Sequence, residues 1–437
     1  MAWSKVKISS FLKERTDRIS PEAANEMGLN RLEKIDFSGN IHINENKSTR
    51  TGMILVKRGD LVISGINVEK GALAVYEGDE DLLATIHYSS YSYDKSKIDI
   101  EFLKWFLKSQ SFRNILLAQT RGGIKTELKP KRFLPLEVIL PDLPTQIEIR
   151  DKLNSVNEEV NEATQVQYEN EKLIQKLRQA ILSEAIQGKL VSQDPNDEPA
   201  SVLFEKIKAE KQKLIKKNKI KKDQPLPPIT KDEIPFELPK SWEWVRLGDV
   251  VQINPRNIAK DNLLASFIPM TLISDGFINK HEEEERLWGD IKSGFTHFVN
   301  DDVGIAKITP CFQNRKSVVF CNLKNGIGAG TTELYILRAY AGLILSEYLL
   351  AIVKTNAFIV GGVSSYTGTA GQQRVKKEFV CNYKIGLPPL SEQKRIVQKV
   401  FELMGLCDEL EKQVIKNQTN SDKLMDAILR EAFAHEA

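Results

Sequence analysis

LPDLPTQIEIRDKLNSVNEEVNEATQVQYENEKLIQKLRQAILSEAI at residues 140–186 and LPPLSEQKRIVQKVFELMGLCDELEKQVIKNQTNSDKLMDAILREAF at residues 387–433 are one segment written twice, displaced by 247 residues without a gap. Identities open the repeat (Leu140/Leu387, Pro141/Pro388, Gln146/Gln393, Ile149/Ile396) and close it (Leu177/Leu424, Ala180/Ala427, Ile181/Ile428, Leu182/Leu429). One long period means two copies of a module, whereas a solenoid needs three or more short units. An approximate two-fold axis is therefore expected.

Between Gln146 and Ala185 there is no Gly or Pro, and apolar residues recur three or four apart. That spacing predicts one helix of about 40 residues, roughly 60 Å long. Ile149, Leu153, Val156, Leu177 and Ile181 form the stripe in the first copy; Ile396, Val400, Leu403, Leu424 and Ile428 form it in the second. We assign these ten residues to helix pairing. Thr145 and Ser391 lie near the predicted helix starts. Asn170 and Asn417 interrupt the stripe at equivalent places, as a solvated break or as a buried amide that fixes register.

A weaker echo precedes each copy. Trp3, Val6 and Ile8 match Trp242, Val245 and Leu247, Asp60 matches Asp302, and Phe112 matches Phe358, with an offset that drifts from 239 to 246. The expected organisation is α+β: a first domain at residues 1–139, a long helix at 140–190, a basic helix and Pro-rich link at 191–240, a second domain at 241–386, and a second long helix at 387–437. Strands are expected around residues 53–56, 61–63, 72–76, 267–270, 303–308, 316–320 and 333–337, and one helix near 100–109 and 345–355. A polar, glycine-containing loop then precedes each long helix. Its first version holds Arg121, Lys125, Thr126, Lys129, Lys131 and Arg132; its second holds Tyr366, Thr367, Thr369, Gln372, Gln373, Arg374, Lys376 and Lys377. Arg and Gln suit base edges, Lys and Thr suit phosphates, and glycines allow close approach, so these are the candidate DNA contacts.

The net charge of +3 balances 62 basic against 59 acidic residues, so any basic surface is local. The densest run is nine lysines between Lys206 and Lys222, either a solvated face or a contact to phosphates. Four cysteines without a CxxC pair and five scattered histidines predict neither disulfides nor a metal site and suit a reducing cytoplasm. The N-terminus predicts no signal peptide, and the most apolar stretch, residues 341–353, is too short to span a membrane.

Catalytic motifs are missing. Asn254-Pro255-Arg256 lacks the second Pro and the aromatic residue of a base-flipping methyltransferase loop, and no GxxxxGK[ST] is present. NGIGAG at residues 325–330 reads as a loop, without the βαβ unit of a cofactor cradle. Pro141-Asp142 with Glu148 approaches a nuclease motif, but Arg150 stands where Lys belongs and the second copy replaces Asp142 with Pro389.

LPPLSEQKRIV at 387–397, LRQAILSEAIQGKLV at 177–191, DPNDEPASVLFEKIKAEK at 194–211 and PFELPKSWEWVRLGDV at 235–250 together resemble the DNA specificity subunits of type I restriction-modification systems. The resemblance covers the whole chain, although the first copy has LPDLPTQIEIR where the second has the more typical LPPLSEQKRI. It implies an antiparallel coiled coil holding two recognition domains, each reading one half of a bipartite double-stranded target. It also implies two modification subunits that use S-adenosylmethionine, and restriction subunits that use ATP and Mg2+. This chain itself would hold no cofactor. The competing readings are a coiled-coil adaptor that reads no DNA and an autonomous methyltransferase-nuclease, which would need the missing motifs.

Overall fold

Short β-branched runs between Gly, Asn and Asp turns form strands, and the two repeat segments form single long helices. The computed structural model describes residues 3–37, 39–45, 49–67, 70–119, 128–222, 224–369 and 371–434. They group into two compact units, one of residues 1–168 with 415–437 and the other of residues 169–414. Each unit thus contains a part of both long helices, Leu143–Ile186 and Leu390–Ala432.

In the first unit Ser4–Lys7 pairs antiparallel with Glu137–Leu140. A four-stranded sheet runs Leu12–Glu14, Tyr88–Tyr93, Leu61–Ser64, Leu73–Val75, and a five-stranded sheet is built around Met53–Val56 and Leu82–Thr85. The second unit repeats this frame. Glu243–Arg246 pairs with Lys384–Leu387, and Val251–Ile253, Leu334–Ala339, Val303–Ala306 and Ser317–Val319 form its four-stranded sheet in the same order. Its third sheet has four strands, with Ile327–Gly330 between Leu264–Ile268 and Thr296–Val299. Four of the six residues of NGIGAG are therefore strand, not loop. A Cβ at Gly328 would meet the Phe298 ring at 2.3 Å, and one at Gly330 would meet the Ile268 carbonyl oxygen at 2.2 Å, so these glycines let a ring and a neighbouring backbone close on the sheet.

The repeat is visible atom by atom where each long helix begins. Gln146 is buried and donates to the Pro141 carbonyl (2.9 Å) while its own carbonyl accepts from the Asp99 amide (2.9 Å). Gln393 is buried and donates to the Pro388 carbonyl (3.1 Å) while accepting from the Leu345 amide (2.9 Å). Asp99 and Leu345 each cap a short domain helix, Ile100–Lys108 and Ser346–Val353. The repeated glutamine therefore ties each domain to its long helix through groups that would otherwise be buried unpaired. Asp142 accepts from the Thr145 amide at 3.1 Å, and this bond with the Thr145 hydroxyl holds its carboxyl below the ordinary range. It is a helix-start residue, which accounts for it without nuclease chemistry.

The helices run antiparallel within each unit. In the first, Leu153 is buried with Phe433, whose ring lies 5.5 Å from both Phe102 and Phe106. In the second, Ile174 and Ile181 cluster with Cys407 and Val414, and Ile396 is buried. Ile149, Val156, Val400, Leu403 and Ile428 are half-buried. Leu177 and Leu424 correct the sequence expectation: they are 45% and 52% exposed. A row spaced by four residues advances about 40° past a full turn at each step and leaves the contact face. The seam instead runs Ile174, Arg178, Ile181, Ala185, all buried. Leu177→Glu or Leu424→Glu should therefore change thermal stability by less than about 0.5 kcal/mol, the range of surface substitutions. A melting point lowered as far as a core charge requires would return both leucines to the seam. Asn170 and Asn417 are exposed, as a solvated break requires.

Arg178 enters the seam because its guanidinium bonds Asp408 (2.7 Å) and Glu411 (3.1 Å), with Nη1 lying 3.9 Å from the Met404 sulfur. The free thiols Cys311, Cys321, Cys381 and Cys407 form no disulfide, and Cys407 fills the seam as a small apolar side chain. Among the described residues no helix is long and apolar enough to cross a membrane.

Candidate nucleic-acid interface

Two glycines at positive φ, Gly368 (111°) and Gly371 (83°), turn the second loop into a tight hairpin. Thr367 and Arg374 exchange backbone bonds of 3.0 and 2.9 Å across its base. The hairpin is stitched to the sheet turns beside it: the Thr309 amide donates to the Gln373 carbonyl (2.9 Å), the Val375 amide to Lys307 (2.8 Å), and the Lys307 amide to Glu333 (2.9 Å). Tyr366 packs edge-on against Phe312, with ring centroids 6.1 Å apart, and Val375 is buried. A floppy surface loop is thereby held as a presented edge.

This scaffold sorts the predicted residues. Thr367, Thr369 and Gln372 are exposed at the hairpin, and Lys376 and Lys377 are exposed where the short helix Lys377–Asn382 starts. Gln373 and Tyr366 are half-buried. Arg374, its side chain 42% exposed, is already tied to the protein: Nε and Nη2 bond the Glu333 carboxylate at 2.9 and 2.8 Å, and Nη1 donates to the Gln372 carbonyl at 3.0 Å. The Arg374 contact holds the Glu333 carboxyl below its ordinary range. A bidentate pair of this kind fixes the hairpin's direction as well as adding energy.

In the first unit Arg121, Lys125 and Thr126 lie outside the described residues. Lys129, Lys131 and Arg132 are exposed on and before the helix Pro130–Phe133, which Phe133 anchors against Tyr91 and Phe112. Lys129 and Lys376 are the N-cap residues of equivalent helices, at the same 247-residue displacement as the long repeat.

Sequence reasoning missed Arg256 and Lys307, which with His297 and Thr332 line a cleft of about 250 Å³ beside the hairpin. Arg256 donates to the Phe295 carbonyl at 3.1 Å. His297 accepts from the Asn257 amide at Nδ1, leaving Nε2 to donate to the Lys292 carbonyl; burial, aided by Arg256 and Arg338, lowers its pKa. The only sequence signal was the isolated Asn254-Pro255-Arg256. Among the described residues no group of His, Cys, Asp and Glu could hold a metal ion.

Residues 239–419 match the family described as type I restriction modification DNA specificity domain. This segment is similar to that specificity family. The chain is 50% identical over 257 residues to the type I restriction enzyme EcoAI specificity subunit of Escherichia coli, an alignment covering 59% of this chain and 44% of the relative. The EcoEI specificity subunit of Escherichia coli is 47% identical over 257 residues, covering 59% and 43%. The matched stretch thus spans less than half the length of either relative. A chain from a structure of type I R-M complex assembly and conformational transition superposes with a TM-score of 0.69 at 17% identity, covering 100% of this chain and 98% of its own. The HsdS subunit of Thermoanaerobacter tengcongensis superposes with a TM-score of 0.53 at 18% identity, covering 99% and 96%. The specificity-subunit fold is shared along the chain.

Proposed function

We propose that the chain is the DNA specificity subunit of a type I restriction-modification assembly. Residues 1–139 and 241–386 each read one half of a bipartite, asymmetric target in double-stranded DNA, and the helices at 140–190 and 387–437, joined through the link at 191–240, scaffold the partners. Two modification subunits bring S-adenosylmethionine for adenine methylation, and restriction subunits bring ATP and Mg2+. The chain acts in the cytoplasm and contributes recognition and assembly, not bond-making.

The observation that carries this reading is a repeated frame with unrepeated loops. Sheet order and the Gln146 and Gln393 ties recur, while the loops at residues 121–133 and 365–379 share almost no sequence. Two similar frames suit DNA grooves about one turn apart, and different loops suit different half-sites. Thr367, Thr369 and Gln372 are the base-edge candidates of the second half, Lys376 and Lys377 its phosphate contacts. Lys129, Lys131 and Arg132, with Arg121, Lys125 and Thr126, serve the first half. Leu177 and Leu424 become docking positions rather than seam residues.

Sequencing of methylated adenines after reaction of the assembled complex tests this directly. One bipartite site is the expected result, and methylation without sequence preference would sink it. Arg374 is a positioning residue here, so Arg374→Ala and Glu333→Ala should each relax the same half-site, by about tenfold if ~1.4 kcal/mol of discrimination is lost, with little added by the double variant. If Glu333→Ala leaves discrimination intact while Arg374→Ala abolishes it, Arg374 touches the base itself.

A further inference from the structure

The lysine run splits into two electrostatically different halves. On the linker helix Ala200–Lys216, Lys206 pairs with Glu198 (2.6 Å), Lys208 with Glu205 (2.8 Å) and Lys213 with Glu210 (3.0 Å), while Lys211 donates to the Gly248 carbonyl. Those cations are already satisfied. Lys216, Lys217, Lys219, Lys221 and Lys222 are all exposed and make no salt bridge or side-chain hydrogen bond among the described residues. Favourable interaction with a helix C-terminus falls off within the last turn, so it accounts for Lys216 and Lys217 but not for the three lysines beyond.

A second observation gives those three a direction. Lys219, Lys221 and Lys222 line one wall of a groove of about 1580 Å³, and Arg256 and Lys377 line the same groove. Arg256 also borders the cleft beside the recognition hairpin, and Lys377 begins the helix that follows it. The groove's acids are Glu237, Glu243 and Asp249; burial raises the Asp249 pKa, against the pull of Lys211, Arg246 and Lys208.

We infer that Lys219, Lys221 and Lys222 bind the phosphate backbone of DNA flanking the half-site read by the second domain, continuing a basic track from Arg256 and Lys377. This rests on the DNA-reading function proposed above. The ligand is a duplex sugar-phosphate chain, because the track is continuous with the hairpin; an acidic protein surface would have no reason to follow it. Phosphate contacts of this kind add affinity and salt dependence without sequence information.

The test uses the full chain assembled with its modification partner, and duplexes with and without the methylated site, over a salt series. The variant Lys219→Gln/Lys221→Gln/Lys222→Gln should make the slope of log affinity against log salt shallower by roughly 3, at about 0.9 per lost contact, equally for both duplexes. The site preference should stay unchanged. Lys206→Gln/Lys208→Gln/Lys213→Gln removes the same formal charge from paired positions and should leave the slope near that of the parent. Equal slopes for all three proteins, or equal shifts for both variants, would overturn the track. So would loss of partner assembly with an unchanged slope, which would assign the lysines to an acidic protein surface. Failure of the parent complex to prefer any duplex would instead overturn the DNA-reading function, a result distinguishable because it precedes any substitution.

Discussion

Asp408→Ala with Glu411→Ala should destabilise the second unit by about 2–3 kcal/mol, although both removed carboxylates are half exposed. The loss comes from what remains. Arg178 is 5% exposed, and without its two acids it is a buried cation whose one remaining side-chain hydrogen-bond partner among the described residues is the Met404 sulfur at 3.9 Å. Stranding a buried charge costs about 3–5 kcal/mol where solvent is excluded; the exposed flank at Asp408 and Glu411 justifies the lower figure. Arg178→Met, which removes the charge and keeps the stem, should be near neutral or stabilising. Denaturant unfolding of the full chain followed by tryptophan fluorescence measures all three. Wild-type stability in the double alanine variant would show that Arg178 is solvated. The repeat positions of Arg178, Asp408 and Glu411 in the other copy are Met425, Asn161 and Thr164, so this ion lock belongs to the second unit's seam alone. It gives that seam a register the apolar residues share with several alternatives.

The second large effect is a pH dependence centred on Lys354, a buried lysine with no carboxylate bonded to it among the described residues. Its ammonium donates to the carbonyls of Gly276 (2.5 Å), Arg315 (3.1 Å) and Ile278 (3.3 Å), so all three protons are placed. Burial, reinforced by Arg315 and opposed by Asp275, pulls its pKa down to about 7. The unfolded chain keeps this proton to about pH 10.4. Between about pH 7 and 10 the unfolded state therefore binds more protons than the folded one, and the unfolding free energy rises with pH. The burial penalty is fully present below pH 7 and relieved above it. Stability of the parent relative to Lys354→Met should rise by about 1.4 kcal/mol per pH unit across this window, roughly 5 kcal/mol at most. Parallel stability curves for the two proteins would mean that Lys354 keeps its proton when folded. The same lysine holds the loop carrying Phe277, whose ring lies between Arg178 and Arg315 at 5.9 and 5.3 Å, so the loop reaches the helix seam.

Architecture was legible wherever periodicity is local. The gapless repeat announced two long helices, and the drifting echo of Asp60 and Asp302 announced two related frames. Both aspartates are buried before equivalent strands, but Arg15, just past the strand Leu12–Glu14, pairs with one and Arg338, within the strand Leu334–Ala339, pairs with the other. No alignment of residue types would find that exchange, because the two arginines reach the same point from different parts of the chain.

The candidate site divides along the same line. The loop positions before each long helix and their Arg, Gln and Lys content were readable from composition and placement, since nothing distant is needed to recognise a glycine-bearing polar turn. That Arg374 pairs with Glu333, 41 residues away, depends on three separate turns meeting at one edge. Arg256 and Lys307 join that edge for the same reason. The seam departs from the expected stripe because helical phase, set by contact with a partner helix, selects Arg178 over Leu177. Repeat, helix length and the chemistry of the loops are properties of neighbours along the chain, so the sequence alone was sufficient for them. Which side chains face solvent, which charges are already satisfied and which lysines remain open are set by groups far apart in the chain that only folding brings within a few ångströms.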